Sequence, residues 1–288
     1  MAVTMKIHLR CVPCFFDQAL SAARTLGLST PAARRLVRRV SALVEQMDWD
    51  QPAPLMGRSI HHAICAITGE EDPYAALKRA HTETALGLVP AAQDAVARAP
   101  DPLEAAVQIS IGGNLIDLAS APGRVVDVQE CFHQALARPV DPAGVRELER
   151  RLARARDVLF LADNAGEIVF DRPLLRLIGP DRVTVAVRGG PVINDATADD
   201  AAQAGLTERY RVITTGSDVP GIWLSDCDPD FRARFAAADL VIAKGQGNFE
   251  TLSEQDREVY FLFLVKCGAV VDELGAPLGT AVTRIHPS

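Results

Sequence analysis

Asp163, Asn164 and Glu167 follow directly on the apolar run Leu159-Phe160-Leu161-Ala162, with Gly166 between them. If residues 158–162 form a buried strand, Asp163 and Asn164 stand at its C-terminal end. In parallel α/β sheets, ligands gather at that edge. Asp and Asn oxygens suit hard divalent cations such as magnesium or manganese. The spacing therefore points to a metal site at the top of a sheet. The plain alternative is a strand-to-helix turn, in which Asp163 or Asn164 only caps the next helix.

Four more segments have the same form, an apolar run ending in a polar, turn-forming loop. They are Arg188 to Thr197, which contains Asp195, Thr215 to Gly221, Lys244 to Glu250, and Lys266-Cys267. Right-handed crossovers would bring all five loops to one edge. That edge would hold carboxylates, amides, two lysines and glycine-exposed backbone N–H groups. Such a set suits a phosphate held beside a metal ion. Lysine is scarce in this chain, occurring only at Lys6, Lys78, Lys244 and Lys266. Two of the four follow predicted strands, so Lys244 and Lys266 are candidates for balancing phosphoryl charge.

The elements needed to position these loops can be read from periodicity. The first half shows helical apolar spacing over Phe15–Leu26, Thr30–Met47, Ile60–Thr68, Pro73–Gly87, Leu103–Leu118, Val128–Ala137 and Pro142–Arg154. The second half alternates short Val- and Ile-rich runs with helical stretches. Strands are expected at Val158–Ala162, Val183–Val187, Arg211–Thr215, Leu240–Ala243 and Tyr260–Val265. Helices are expected at Glu167–Ile178, Ala196–Ala204 and Pro229–Ala237. The expected fold is α/β: an all-helical N-terminal domain, residues 1–150, then a three-layer α/β/α domain with a mainly parallel sheet, residues 151–288.

Composition narrows the function classes. The 288 residues carry a net charge of −7, which argues against a nucleic-acid partner. No apolar run is long enough for a membrane span, and residues 1–16 lack a signal-peptide core. A cytoplasmic location with reduced cysteines is therefore expected. No Gly-x-Gly-x-x-Gly turn follows the first strand, and no Walker-type loop occurs. Ala165 occupies the position where an Asp-x-Asp phosphatase would carry its second carboxylate, so a metal-activated water is the simpler mechanism. Cys11 and Cys14 have metal or redox spacing, and Cys267 could complete a second metal or redox site with them. The plain alternative is a group of inert, packed thiols. His61 and His62 on a predicted helix are expected to be core or surface residues rather than ligands.

Seven segments in chain order resemble the metal-dependent damage-control phosphatases, in particular their prokaryotic, cysteine-containing branch. These are Cys11-Val12-Pro13-Cys14, Asp72-Pro73-Tyr74, Gly113-Asn114-Leu115-Ile116-Asp117, Asp163 to Glu167, Pro191 to Thr197, Lys244 to Glu250, and Lys266-Cys267. The resemblance implies a divalent ion (manganese, magnesium, cobalt or nickel) held by Asp163, Asn164 and Asp195. It implies substrate contacts from Lys266 and from Gln246, Gly247, Asn248 and Glu250, next to Lys244 and Gly245. It implies hydrolysis of small phosphomonoesters such as sugar phosphates or damaged phosphometabolites, with Asp163, Asp195 and Lys266 central to catalysis. A methyltransferase activity attributed to a relative finds no glycine-rich cofactor loop here. The rival from another class is a non-catalytic protein that binds phosphometabolites through the same loops. Oligomeric state is not legible in the sequence.

Overall fold

The computed structural model describes residues 5–113 and 134–286. Six helices lead the chain: α1 Cys11–Thr25, α2 Thr30–Glu45, α3 Ala53–Thr68, α4 Ala75–Gly87, α5 Val89–Arg98 and α6 Pro102–Gly113. After α7, Pro142–Arg154, strands and helices alternate: β1 Val158–Leu161, α8 Glu167–Phe170, α9 Arg172–Ile178, β2 Val183–Val187, α10 Ala198–Gln203 and β3 Arg211–Thr214. The chain continues through α11 Pro229–Ala237, β4 Leu240–Lys244, α12 Gln246–Leu252, β5 Val259–Leu264, α13 Gly268–Leu274 and β6 Ala281–His286. Among the described residues, no helix is long and apolar enough to cross a membrane.

The strands form one sheet in the order β3-β2-β1-β4-β5-β6, parallel except for the antiparallel edge strand β6. This is the expected α/β architecture. Strand parity divides its core into two layers. Val158, Phe160, Ile242 and Leu262 face one side, packed with residues of α6, α7, α8 and α9. Leu159, Leu161, Val241, Phe261 and Phe263 face the other, packed with Phe231 and Phe235 of α11 and Phe249 of α12. The first three helices have their own core around Leu36, Val40, Ile60 and Ile64. Helices α5 to α7 share the core of the sheet, through residues such as Val96, Ile109 and Leu148.

Several elements depart from the sequence expectation. Helix α1 begins at Cys11, so both cysteines of the Cys-x-x-Cys pair lie in its first turn. Helix α3 begins at Ala53, ahead of the expected Ile60, because Pro54 fits a first turn. The expected helix Glu167–Ile178 breaks at Asp171, just before Pro173. Helices α5, α12 and α13 and strand β6 were not expected. Asn114, Asp117, Cys131 and most of the expected helix Val128–Ala137 lie outside the described residues.

The order of strands reverses at β1. Chain direction moves outward from β1 to β2 and β3, then returns to β4 on the opposite side. The C-terminal ends of β1 and β4 therefore mark a topological switch point, the usual place for a ligand in such sheets.

Candidate active site

Backbone hydrogen bonds hold the loops after β1 and β2 together. Ala165 N–H donates to Asn194 O at 2.9 Å, and Ala196 N–H donates to Asp163 O at 2.8 Å. Between them, Asn164 and Asp195 form an isolated antiparallel bridge. Two residues 31 apart are thus locked side by side, and Asp163 joins them at the end of β1. Next to Asp195, Ile193 adopts a left-handed φ of 46°, a costly conformation for a β-branched residue. His61 on α3 supports it, with Nδ1 accepting from Ile193 N–H at 3.1 Å. That bond places the imidazole hydrogen on Nε2 in the neutral ring. Burial, helped by His62 and Lys78, pushes His61 down to about 4, against the opposing pull of Asp72 and Asp218.

The carboxylates are crowded. Asp163, Asp195 and Glu167 are all buried. Burial, then Glu167 and Asp195, push the Asp163 carboxyl well above its usual range, opposed by Lys266 and Arg188. Asn164 Nδ2 donates to Asp163 Oδ2 and to Glu167 Oε2, both at 3.0 Å. These two bonds fix the plane of the Asn164 amide, with Nδ2 rather than Oδ1 toward the two carboxylates. Gly245 at the end of β4 closes the opposite wall. Its backbone has φ +79° and ψ 157°, and a Cβ there would stand 1.9 Å from Asp163 Oδ2. Only glycine lets the two loops approach so closely.

The donor set of Asp163, Asp195 and Asn164 fits a hard divalent ion. It consists of oxygens, and a cation would relieve the mutual repulsion that raises Asp163. Among the described residues, no three His, Cys, Asp or Glu side chains form a ready metal-binding group. The amide of Asn164 would supply the third ligand.

Lys244 is placed differently from the sequence expectation. It lies fully buried beneath the loop edge, where Nζ donates to Glu167 Oε1 at 2.5 Å, Asp171 Oδ1 at 2.7 Å and Ser110 O at 2.8 Å. All three ammonium hydrogens are used within the protein, so the chain offers none to a phosphoryl group. Burial favours the neutral amine, but Asp171 and Glu167 outweigh it and raise Lys244 above its usual value. Asp171 also accepts from Ser110 Oγ at 2.6 Å. Lys244 thus acts through Glu167 on Asn164. Lys78, unremarkable in the sequence, pairs with Asp72 at 2.7 Å and Asp200 at 2.9 Å. It ties α4 to Asp200 in the first turn of α10, five residues beyond Asp195.

The segment after β4 divides into two roles. Asn248 is buried, with Nδ2 donating to Lys244 O at 2.7 Å and Ala162 O at 3.3 Å. It fastens the β1 and β4 ends rather than facing a ligand. Gly247 rests against Pro220. Gln246 and Glu250 instead line a cavity of about 350 Å³ with Lys266, Cys11, Cys14 and Cys267. Gln246 Oε1 accepts from Lys266 N–H at 2.8 Å, and its amide donates to Glu250 Oε1 at 2.7 Å. The three cysteines share this wall without forming a metal-binding group. Burial raises all three thiols, Cys11 to about 11, so they stay protonated at neutral pH. Gly216, after β3, packs against the Asp228 carboxylate.

Arg188, in the loop after β2, went unmarked in the sequence because arginine is abundant in this chain. It is 1% exposed, yet its Nε donates to Asp195 Oδ2 at 2.6 Å and its Nη2 to Asn248 Oδ1 at 3.4 Å. Its Nη2 also lies 3.7 Å from Asp163 Oδ1. Arg188 borders a second cavity, about 590 Å³, lined also by Gly189, Gly190, Lys78, Thr197 and Asp199.

Comparisons with known proteins identify the family. Residues 7–282 match the model of the damage-control phosphatase ARMT1-like domain. The chain is 32% identical to the damage-control phosphatase PH1575 of Pyrococcus horikoshii, covering 96% of this chain and 97% of that one. It is 34% identical to a damage-control phosphatase of Archaeoglobus fulgidus, covering 78% of this chain and 80% of that one. The crystal structure of the DUF89 family protein PH1575 superimposes with a TM-score of 0.84 at 30% identity, covering 96% and 98% of the two chains. The chain belongs to the damage-control phosphatase ARMT1-like family.

Proposed function

We propose that this protein is a metal-dependent phosphatase that hydrolyses small phosphorylated metabolites, among them sugar phosphates or damaged phosphometabolites. The observation that carries this reading is the locking of Asp163, Asn164 and Asp195 into one crowded oxygen cluster where the strand order reverses. Two relatives named as damage-control phosphatases support it. Asp163, Asn164 and Asp195 would hold one divalent ion, of manganese, magnesium, cobalt or nickel. Bound there, the ion would supply Lewis-acid polarisation of a phosphoryl oxygen and acidify a water.

The chain's own residues do the rest. Glu167, anchored by Lys244, accepts from the Asn164 amide and so fixes its orientation. Lys266 acts on the Asp163 carboxylate and supplies positive charge for the phosphoryl oxygens. Gln246 and Glu250 present polar groups beside Lys266, where they can contact the organic part of a substrate. The three protonated thiols form part of the same wall.

Hydrolysis of a generic aryl phosphate tests the reading. Purified protein with added manganese should turn over, and a chelator should stop it reversibly. Tight binding of phosphorylated metabolites with no turnover under any divalent metal would identify a binding protein instead.

A further inference from the structure

We propose that Arg188 is a further catalytic residue, whose Nη1 takes an oxygen of the phosphoryl group; this rests on the phosphatase reading above. Arg188 is an arginine buried inside the cluster of carboxylates rather than at its rim. Two of its three nitrogens are engaged: Nε with Asp195, Nη2 with Asn248 and near Asp163. Those contacts fix the plane of the guanidinium and hence the direction of Nη1. Among the described residues Nη1 is buried with no hydrogen-bond partner. Buried donors without acceptors are rare in folded proteins, and a charged one calls for an explanation. In the other arginines with a buried orphaned nitrogen among the described residues, Arg138, Arg182 and Arg257, that nitrogen is Nε. In Arg188 the orphan is a terminal nitrogen with two hydrogens.

Charge identifies the missing acceptor. Asp163 and Asp195 together would be balanced by a divalent ion, so a phosphomonoester dianion would enter a site with little positive charge left over. Lys266 supplies one cation and Arg188, which cannot lose its proton, a second. A tetrahedral oxyanion offers the acceptor geometry that a guanidinium nitrogen matches. Of the residues in the carboxylate cluster, Arg188 alone also borders the 590 Å³ cavity.

Calorimetric titration of inorganic phosphate into the manganese-loaded protein tests this, using wild type, Arg188→Lys and Arg188→Met, with manganese affinity measured separately. Both variants should bind phosphate at least about tenfold more weakly. Their kcat/KM on an aryl phosphate should fall by roughly 100- to 1000-fold. Manganese affinity should stay equal or tighten, because a competing cation beside Asp195 is lost, and saturating manganese should not restore turnover. A residue that merely holds Asp195 would behave oppositely, with weaker manganese binding and rescue by excess metal. Arg188→Lys keeps a charge opposite Asp195, which guards against misfolding in Arg188→Met. Wild-type phosphate affinity in folded Arg188→Lys, rescue by metal, or failure of both variants to fold would overturn the proposal. A wild type that binds manganese but neither binds phosphate nor hydrolyses the ester would instead overturn the phosphatase reading itself.

Discussion

Lys244 Nζ stands 2.5 Å from Glu167 Oε1, and both side chains are fully buried. Glu167 passes the contact on to Asn164, so a lysine beneath the sheet edge sets the orientation of the Asn164 amide above it. Breaking a buried ion pair from one side leaves an uncompensated charge and typically costs about 3–5 kcal/mol. Lys244→Met should therefore lower stability by that order, measured by urea or thermal unfolding. A variant as stable as wild type would show that Glu167 and Asp171 do not depend on the lysine.

Gly245 gives a local test of the site's architecture. Its φ of +79° and ψ of 157° are open essentially to glycine alone, and a Cβ would enter the Asp163 carboxylate. Gly245→Ala should cost about 1–3 kcal/mol in backbone strain. Displacement of Asp163 should also weaken manganese binding by at least about tenfold, that is, about 1.4 kcal/mol. Normal metal affinity in a folded Gly245→Ala protein would mean that Asp163 is not held where metal binding requires it.

Lys266 is expected to act on charge rather than on folding. Lys266→Met keeps much of the apolar stem and removes the ammonium. The loss should be on the order of 2–4 kcal/mol of transition-state stabilisation, roughly 30- to 1000-fold in kcat/KM. Manganese affinity should change little. Lys6, whose only described ion pair is the exposed one with Asp50, serves as the control through Lys6→Met. Equal, small effects of the two substitutions would remove Lys266 from the phosphate site.

His61 predicts a pH dependence of stability. Its folded value, about 4, lies below the ordinary 6.5, because burial resists the charged form. Between those limits the unfolded chain takes up a proton that the folded chain does not. Stability should therefore be complete above pH 6.5 and decline as pH falls toward 4, by up to about 3 kcal/mol. Replacing His61 with Gln should flatten this part of the curve, as read from thermal unfolding between pH 7.5 and 4.5. Parallel curves for the two proteins would exclude His61 as the source.

Much of this arrangement was legible in the sequence, for identifiable reasons. Strands β1, β2 and β4 are buried on both faces, so each reads as a run of apolar residues. Asp163 and Asn164 stand just past the end of β1, and Asp195 lies in the polar loop that follows β2. Strand β6 escaped notice because it is an edge strand that includes Thr283 and exposed Arg284. Helix α12 opens on Gly245-Gln246-Gly247, which reads as a loop, and α5 follows Gly87 with Pro90 in its first turn.

Lys244 was visible as a strand-end lysine, but its direction follows from parity. Leu240 and Ile242 face the α6–α9 layer, and Lys244 continues that face. Glu167 and Asp171, four residues apart in sequence, were the complementary signal. Arg188 left no comparable trace, since its role depends on contacts with Asp195, Asp163 and Asn248, which only the fold brings together.

The proposed function requires Asp163, Asn164 and Asp195 to hold one catalytic divalent ion. Calorimetric titration of manganese into metal-stripped wild type and Asp163→Ala tests it most directly, with aryl phosphate hydrolysis followed on the same samples. Wild type should bind one manganese per chain, with activity that rises with its occupancy. A folded Asp163→Ala protein should lose both binding and turnover. Equal manganese binding by the variant, or full wild-type hydrolysis in exhaustive chelator, would contradict the proposed function.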